Sequence, residues 1–229
     1  GLIAVRLMTD ENGETADELI GANLCNAEDD IILVSKHGMS LKFRADDDQL
    51  RPMGRQTAGV QGMKFRDGDE LLAMDVVWGD SDKDLFVVTN EGFAKRTALS
   101  EYRLQGRNGF GVKAVQLVEG RGFLVGALVV SEEDQVMAIM TSGKVIRANV
   151  NEVKRTGRTT QGVTFAKPEK NDEIISIARN AEAEDEADGE TTTTESSGSA
   201  SSIQPAQGEP VFEVSTEEPS GMPLVTENS

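Results

Sequence analysis

Cysteine and histidine are nearly missing from this 229-residue chain, and aromatic side chains are scarce. A single cysteine, Cys25, excludes an intrachain disulfide and a cysteine-built metal site. The single histidine, His37, falls in a turn with no cysteine or acid at ligand spacing, so no metal role is expected of it. Aromatics make up only 4% of the chain, which leaves Val, Leu, Ile and Met to fill any core. No apolar run approaches the roughly 18 residues that cross a bilayer. Gly1-Leu2-Ile3 offers neither the charged region nor the cleavage site of a secretory signal. Together these absences predict a cytoplasmic protein with no membrane partner.

Positive charge is absent from one region only. All 23 Lys and Arg lie within residues 1–179, together with 28 Asp and Glu, while residues 180–229 hold 12 acids and no base. The formal charge of −17 is therefore an average over a nearly balanced body and an acidic tail. Glu182 to Glu190 is acidic, Thr191–Thr194 is a threonine tract, Ser196 to Ser202 is rich in Ser and Gly, and four prolines follow. Such a composition buries too little apolar surface to offset chain entropy, so 180–229 is predicted to be disordered. Being acidic and flexible, it is expected to compete with a polyanion for the basic body.

What the body does contain is a repeat. Gly54-Arg55-x-x-x-Gly59-Val60 returns as Gly106-Arg107-x-x-x-Gly111-Val112 and as Gly157-Arg158-x-x-x-Gly162-Val163, at spacings of 52 and 51 residues. Ahead of each copy lies a hairpin pattern, an apolar run, a Gly turn and an alternating run: 31–44, 85–97 and 136–149. Each motif opens a third run (Val60 to Phe65, Val112 to Leu117, Val163 to Phe165). A fourth closes the unit (Glu70 to Val77, Phe123 to Val130, Glu173 to Ala178). Four short strands per repeat predict an all-β fold of stacked blades, a propeller or pinwheel. Residues 1–24 align with the back half of a repeat, Gly1 to Leu7 with Gly111 to Leu117 and Glu18 to Leu24 with Gly122 to Leu128. The expected organisation is half a blade (1–24), three blades (25–78, 79–130, 131–179) and the tail, as in a fragment of a longer protein.

Three columns of the repeat are basic in every copy: Lys42, Arg96 and Arg147; Arg51, Arg103 and Lys154; Arg55, Arg107 and Arg158. Folding asks for glycines and apolar residues at recurrent positions, not for surface arginine, so the columns point to a ligand. Arg44, Lys95, Lys113, Lys144 and Arg155 fall in the same stretches. Acids cluster elsewhere, at Asp80, Asp82 and Asp84 and at Glu132, Glu133 and Asp134. Blades stacked side by side would line up the fourteen bases as a track for double-stranded DNA, held through phosphates and without base readout.

The pattern Asp-x-[apolar]4-Thr/Ser-x-x-Gly-x3-Lys/Arg followed by G-R-x-x-x-G-V resembles the C-terminal domain of the DNA gyrase A subunit over about residues 1–179. Asn90-Glu91-Gly92-Phe93-Ala94-Lys95-Arg96-Thr97 and Arg158-Thr159-Thr160-Gln161-Gly162-Val163 carry the likeness best. Lys83 at the Asp position and Met140 at the Thr/Ser position depart from it. The resemblance implies a six-bladed β-pinwheel wrapping DNA on its basic perimeter, of which this chain holds about three and a half blades. It implies a type IIA topoisomerase that introduces negative supercoils, with the rest of the A subunit and the B subunit as partners in an A2B2 complex at the bacterial nucleoid.

ATP and magnesium are implied for that complete enzyme, and no cofactor for this chain, which has no Walker loop. The family's Q-R-R-G-G-K-G box is absent, and Tyr102, the only tyrosine, stands in Ser100-Glu101-Tyr102-Arg103 rather than Arg-Tyr-Thr. It aligns with Leu50 and Val153 and is expected to pack, so no catalytic residue is assigned. Trp78 is expected between blades, and Asp46-Asp47-Asp48 in a solvated insertion. The A subunit of topoisomerase IV and a protein-binding propeller are the alternatives.

Overall fold

In a computed structural model, residues 1–9, 11–13, 17–79 and 82–180 are described. Of the acidic tail only Asn180 is among them; residues 181–229, with the short apolar stretch Val211-Phe212-Glu213-Val214, lie outside. Eleven strands form among the described residues, with two short 3-10 turns, Leu99–Glu101 and Val150–Glu152. The strands are β1 (Asp30–Ser35), β2 (Met39–Arg44), β3 (Leu71–Val77), β4 (Asp84–Thr89), β5 (Phe93–Ala98), β6 (Val112–Lys113), β7 (Leu124–Val130), β8 (Gln135–Met140), β9 (Val145–Asn149), β10 (Val163–Thr164) and β11 (Ile174–Arg179).

They build three antiparallel sheets, ordered β3-β1-β2-β6, β7-β4-β5-β10 and β11-β8-β9. The three hairpins fall where the repeat places them, with Ile32 opposite Lys42, Phe86 opposite Arg96 and Met137 opposite Arg147. The fourth strand differs from expectation. The strands opened by the second and third G-R-x-x-x-G-V motifs leave their own repeats and add to the hairpins of the preceding ones: Val112 pairs with Ser40, and Val163 with Ala94. They are also shorter than the apolar runs, two residues in each case. Val60 to Phe65 forms no strand beyond a Met63–Gly109 bridge, and residues 1–24 form none. Their sequence equivalents need a preceding hairpin to pair with, and no described residues supply one.

The blades stack because alternate residues of one strand serve two cores. β4 is buried along its whole length. Leu85 and Val87 face Ile32, Val34 and Val77 of the first sheet, while Phe86 and Val88 face Val130, Val136 and Ala138 toward the third. A strand buried on both faces reads as a continuous apolar run, which is why Leu85-Phe86-Val87-Val88 shows no alternation. Each such side chain contributes about 1.5–3 kcal/mol by leaving water. Tyr102, Leu50 and Val153 all join cores, as their alignment implies. Trp78 does not pack between blades: it is 46% exposed, with the Lys83 ammonium 5.6 Å from its ring centre.

Candidate nucleic-acid interface

Each strand exchange carries a length of chain across the outer hairpin strand of the neighbouring blade, and the basic columns travel on it. The segment before β6 bridges Leu104 to Lys42 in parallel, and the Gln105 amide donates to the Lys42 carbonyl at 2.8 Å. One repeat later Arg155 bridges to Arg96, and the Thr156 amide donates to the Arg96 carbonyl at 2.9 Å. Arg103 and Lys154 directly precede the bridging residues, so they occupy equivalent places at successive blade junctions. Both are exposed, as is Arg51, and none of the three makes a side-chain hydrogen bond or ion pair with another described residue. This column is open to solvent in all three copies.

The motif arginines do two things at once. Arg107 Nε donates to the Gln49 carbonyl at 2.6 Å and its guanidinium to the Gln61 carbonyl at 3.1 Å, while its amide donates to Gln49 Oε1 at 3.0 Å. The Arg158 guanidinium donates to the Lys113 carbonyl at 3.2 Å, and its amide to Glu101 at 3.1 Å. Both staple one repeat to the preceding one through neutral carbonyl acceptors, so the guanidinium charge is not cancelled by an ion pair. Arg55 stands exposed in its turn.

The first column is mostly turned inward, which corrects the sequence reading. Lys42 Nζ donates to the Leu99 carbonyl at 3.1 Å and lies 3.9 Å from Asp30; burial holds its pKa below the usual lysine value, against the pull of Asp30. Arg96 is 6% exposed and pairs with Asp84 at 3.4 Å and Glu132 at 3.0 Å. Only Arg147 remains exposed, beside Asn180. Position decides this. A side chain in the hairpin strand that the next repeat crosses becomes part of the junction, and β9 has no described crossing segment.

Four of the five remaining bases are also engaged internally. Lys95 is 1% exposed; its ammonium donates to the Ala114 carbonyl at 2.6 Å and to the Arg158 carbonyl, and burial lowers its pKa to about 8. Arg155 Nε lies 2.8 Å from Asp84, and another of its nitrogens 3.1 Å from Asp82. Burial pushes the Asp84 carboxyl upward, and Arg155 and Arg96 oppose it. Arg44 pairs with Asp30 at 2.8 Å, and exposed Lys113 bonds Gln116 at 2.8 Å. Lys144, 3.9 Å from Glu169, is largely open to solvent. Lys64 and Arg66, which the columns missed, are exposed and make no ion pair. Lys64 recurs as Lys167 but is Gln116 in between, so a rule demanding all three copies passes over it.

His37 lies 3.9 Å from Asp69 alone, and no three His, Cys, Asp or Glu among the described residues gather where they could hold a metal ion. Asp46 caps its own turn by accepting the Gln49 amide at 3.1 Å, with Asp47 and Asp48 exposed. No described helix is long and apolar enough to cross a membrane.

Residues 29–77, 83–131 and 134–180 each match the family described as DNA gyrase C-terminal domain, beta-propeller, one match to each hairpin repeat. The chain belongs to this family. Gyrase-family relatives include the DNA gyrase A subunit of Streptomyces coelicolor, 50% identical over 212 residues, covering 91% of this chain and 24% of that protein. The equivalent subunit from Mycolicibacterium smegmatis is 47% identical over 187 residues, 82% of this chain and 21% of its own length. The chain thus spans about a quarter of the length of these relatives. Among solved structures, a DNA gyrase A C-terminal domain superposes with TM-score 0.68 at 24% identity, covering 78% of this chain and 58% of that one. The C-terminal domain of DNA topoisomerase IV gives 0.62 at 22% identity, covering 67% and 47%. Those two likenesses establish the shared pinwheel fold.

Proposed function

We propose that this chain is the DNA-wrapping region of a DNA gyrase A subunit. The observation that carries the reading is the equivalence of Arg103 and Lys154: unpaired cations set at successive blade junctions by the same exchanged segment. A duplex following that edge meets a positive charge at each junction, and phosphate contacts position it without reading sequence. Bending 20–30 base pairs by 40–90° costs about 1–6 kcal/mol, so several blades must act together. Curated relatives named as DNA gyrase A subunits, 50% and 44% identical, favour gyrase of the two type IIA enzymes.

In this reading the chain performs no bond chemistry. It holds a wrapped segment in one hand, which selects the DNA crossing passed through the enzyme and hence negative supercoiling. The cleavage tyrosine, ATP and magnesium belong to the rest of an A2B2 assembly. No described residues form a metal cluster, and no step is assigned to either cofactor here.

Titrating a mixed-sequence duplex at several salt concentrations tests the reading. With on the order of six phosphates neutralised, log K falls against log salt with a slope of about −5, and unrelated mixed-sequence duplexes bind alike. Salt-insensitive association would overturn it in favour of a protein-binding propeller. Deleting this region from the intact gyrase A polypeptide is expected to reduce negative supercoiling while leaving DNA cleavage and relaxation.

A further inference from the structure

Two large apolar side chains on the exchanged segment are exposed, Leu104 at the bridge to Lys42 and Phe110 within the motif. Phe110 sits in Gly106-Arg107-Asn108-Gly109-Phe110-Gly111, where the other two copies have Ala58 and Gln161. It is 47% exposed and belongs to none of the hydrophobic clusters among the described residues. A lone exposed phenyl needs no explanation in itself. This one differs in how it is held and in what surrounds it.

The backbone on both sides of the ring is pinned. The Asn108 amide donates to the Gly62 carbonyl at 2.6 Å, the Lys64 amide to the Gly109 carbonyl at 2.8 Å, and Ser40 Oγ to the Val112 carbonyl at 3.1 Å. Around it are cations with no ion pair: Arg66, its guanidinium 5.8 Å from the ring centre, with Lys64 and Arg107 on the adjoining backbone. An exposed apolar ring on a pinned backbone, beside cations with no ion pair and on an edge where a duplex is to be bent, matches the arrangement by which apolar side chains enter and partly unstack a base step.

We infer that Phe110 is an apolar wedge that contacts a base step of bound duplex DNA and concentrates the bend there, its cationic neighbours holding the flanking phosphates. The inference rests on the DNA-wrapping reading. It adds a preference that phosphate contacts alone lack, for easily kinked pyrimidine–purine steps such as TA over stiff A-tracts.

The test uses the whole chain and two duplexes of equal length, one with a central TA step carrying 2-aminopurine beside it, the other an A-tract with the same probe. The expected result is a rise in probe fluorescence on binding the TA duplex. Phe110→Ala abolishes that rise and weakens TA-duplex binding about tenfold, the scale of losing one base–aromatic contact. Its A-tract binding and salt slope stay unchanged. Phe110→Leu, which keeps an apolar tip, retains most of the signal. Tight, salt-dependent binding with equal affinity and no fluorescence rise in the native chain, or an identical rise in Phe110→Ala, would overturn the wedge and leave wrapping intact. Absence of salt-dependent duplex binding by the native chain would overturn both. Exposure of the ring makes misfolding of the Ala variant unexpected, and an unaltered thermal transition checks that.

Discussion

Arg103 and Lys95 lie eight residues apart in one repeat, and their environments give them opposite tasks. Arg103 points to solvent with no partner among the described residues, so Arg103→Ala should weaken duplex binding evenly across sequences and make the salt slope shallower by about 1, read by titration. Lys95 is enclosed by carbonyls from two neighbouring segments, and the same substitution there should act on stability instead. Its pKa of about 8 lies below the unfolded lysine value, so between about pH 8 and 10.5 the unfolded chain binds more protons at this site than the folded one. Stability from this group therefore rises with pH across that window, by at most about 1.4 kcal/mol per pH unit. Tyr102, whose pKa burial raises above the usual phenol value, opposes the gain beyond about pH 10. Urea titrations at pH 7.5 and 9.5 should show a rise in the native chain that Lys95→Met removes. A base in the motif was legible from the sequence; whether it is a contact or a strut depends on what chain lies over it, and composition carries no trace of that.

At the scale of the element, strand exchange makes Gly111 and Gly162 stricter than their sequence equivalent Gly59. Gly111 has φ +70°, and a Cβ there would overlap the Ser40 carbonyl oxygen of the strand that β6 joins. Gly59 has φ +81° but nothing near its Cβ position. Gly59→Ala should therefore cost about 1–2 kcal/mol, the left-handed backbone penalty alone. Gly111→Ala carries the same penalty plus overpacking of about 1–3 kcal/mol. Denaturant midpoints of the two variants measure the difference, and equal costs would mean that β6 does not add to β2. The hairpins themselves were readable, because alternation and a turn glycine are local signals. The exchange was not, because an apolar run of fixed period pairs equally well with its own sheet or a neighbour's. Which it does is settled by where the chain can reach.

For the molecule as a whole, charge that is scattered in sequence becomes spaced along one kind of place, the blade junction. Replacing Arg51, Arg103 and Lys154 together by Ala should reduce the magnitude of the salt slope by about 3 and weaken binding by more than any single change, with the thermal transition little altered because all three are exposed. A triple variant with native affinity would remove the column from the interface. Repeat period, the hairpins, the blade cores and the presence of recurrent bases were all determined by the amino-acid sequence, since glycine turns, apolar runs and charge columns are short-range patterns that each repeat states afresh. Which of those bases meet solvent, and that Lys42, Lys95, Arg96 and Arg155 instead brace the junctions, was decided only by the tertiary structure. The reason is physical: a side chain's exposure is set by segments fifty residues away in sequence that come to lie across it.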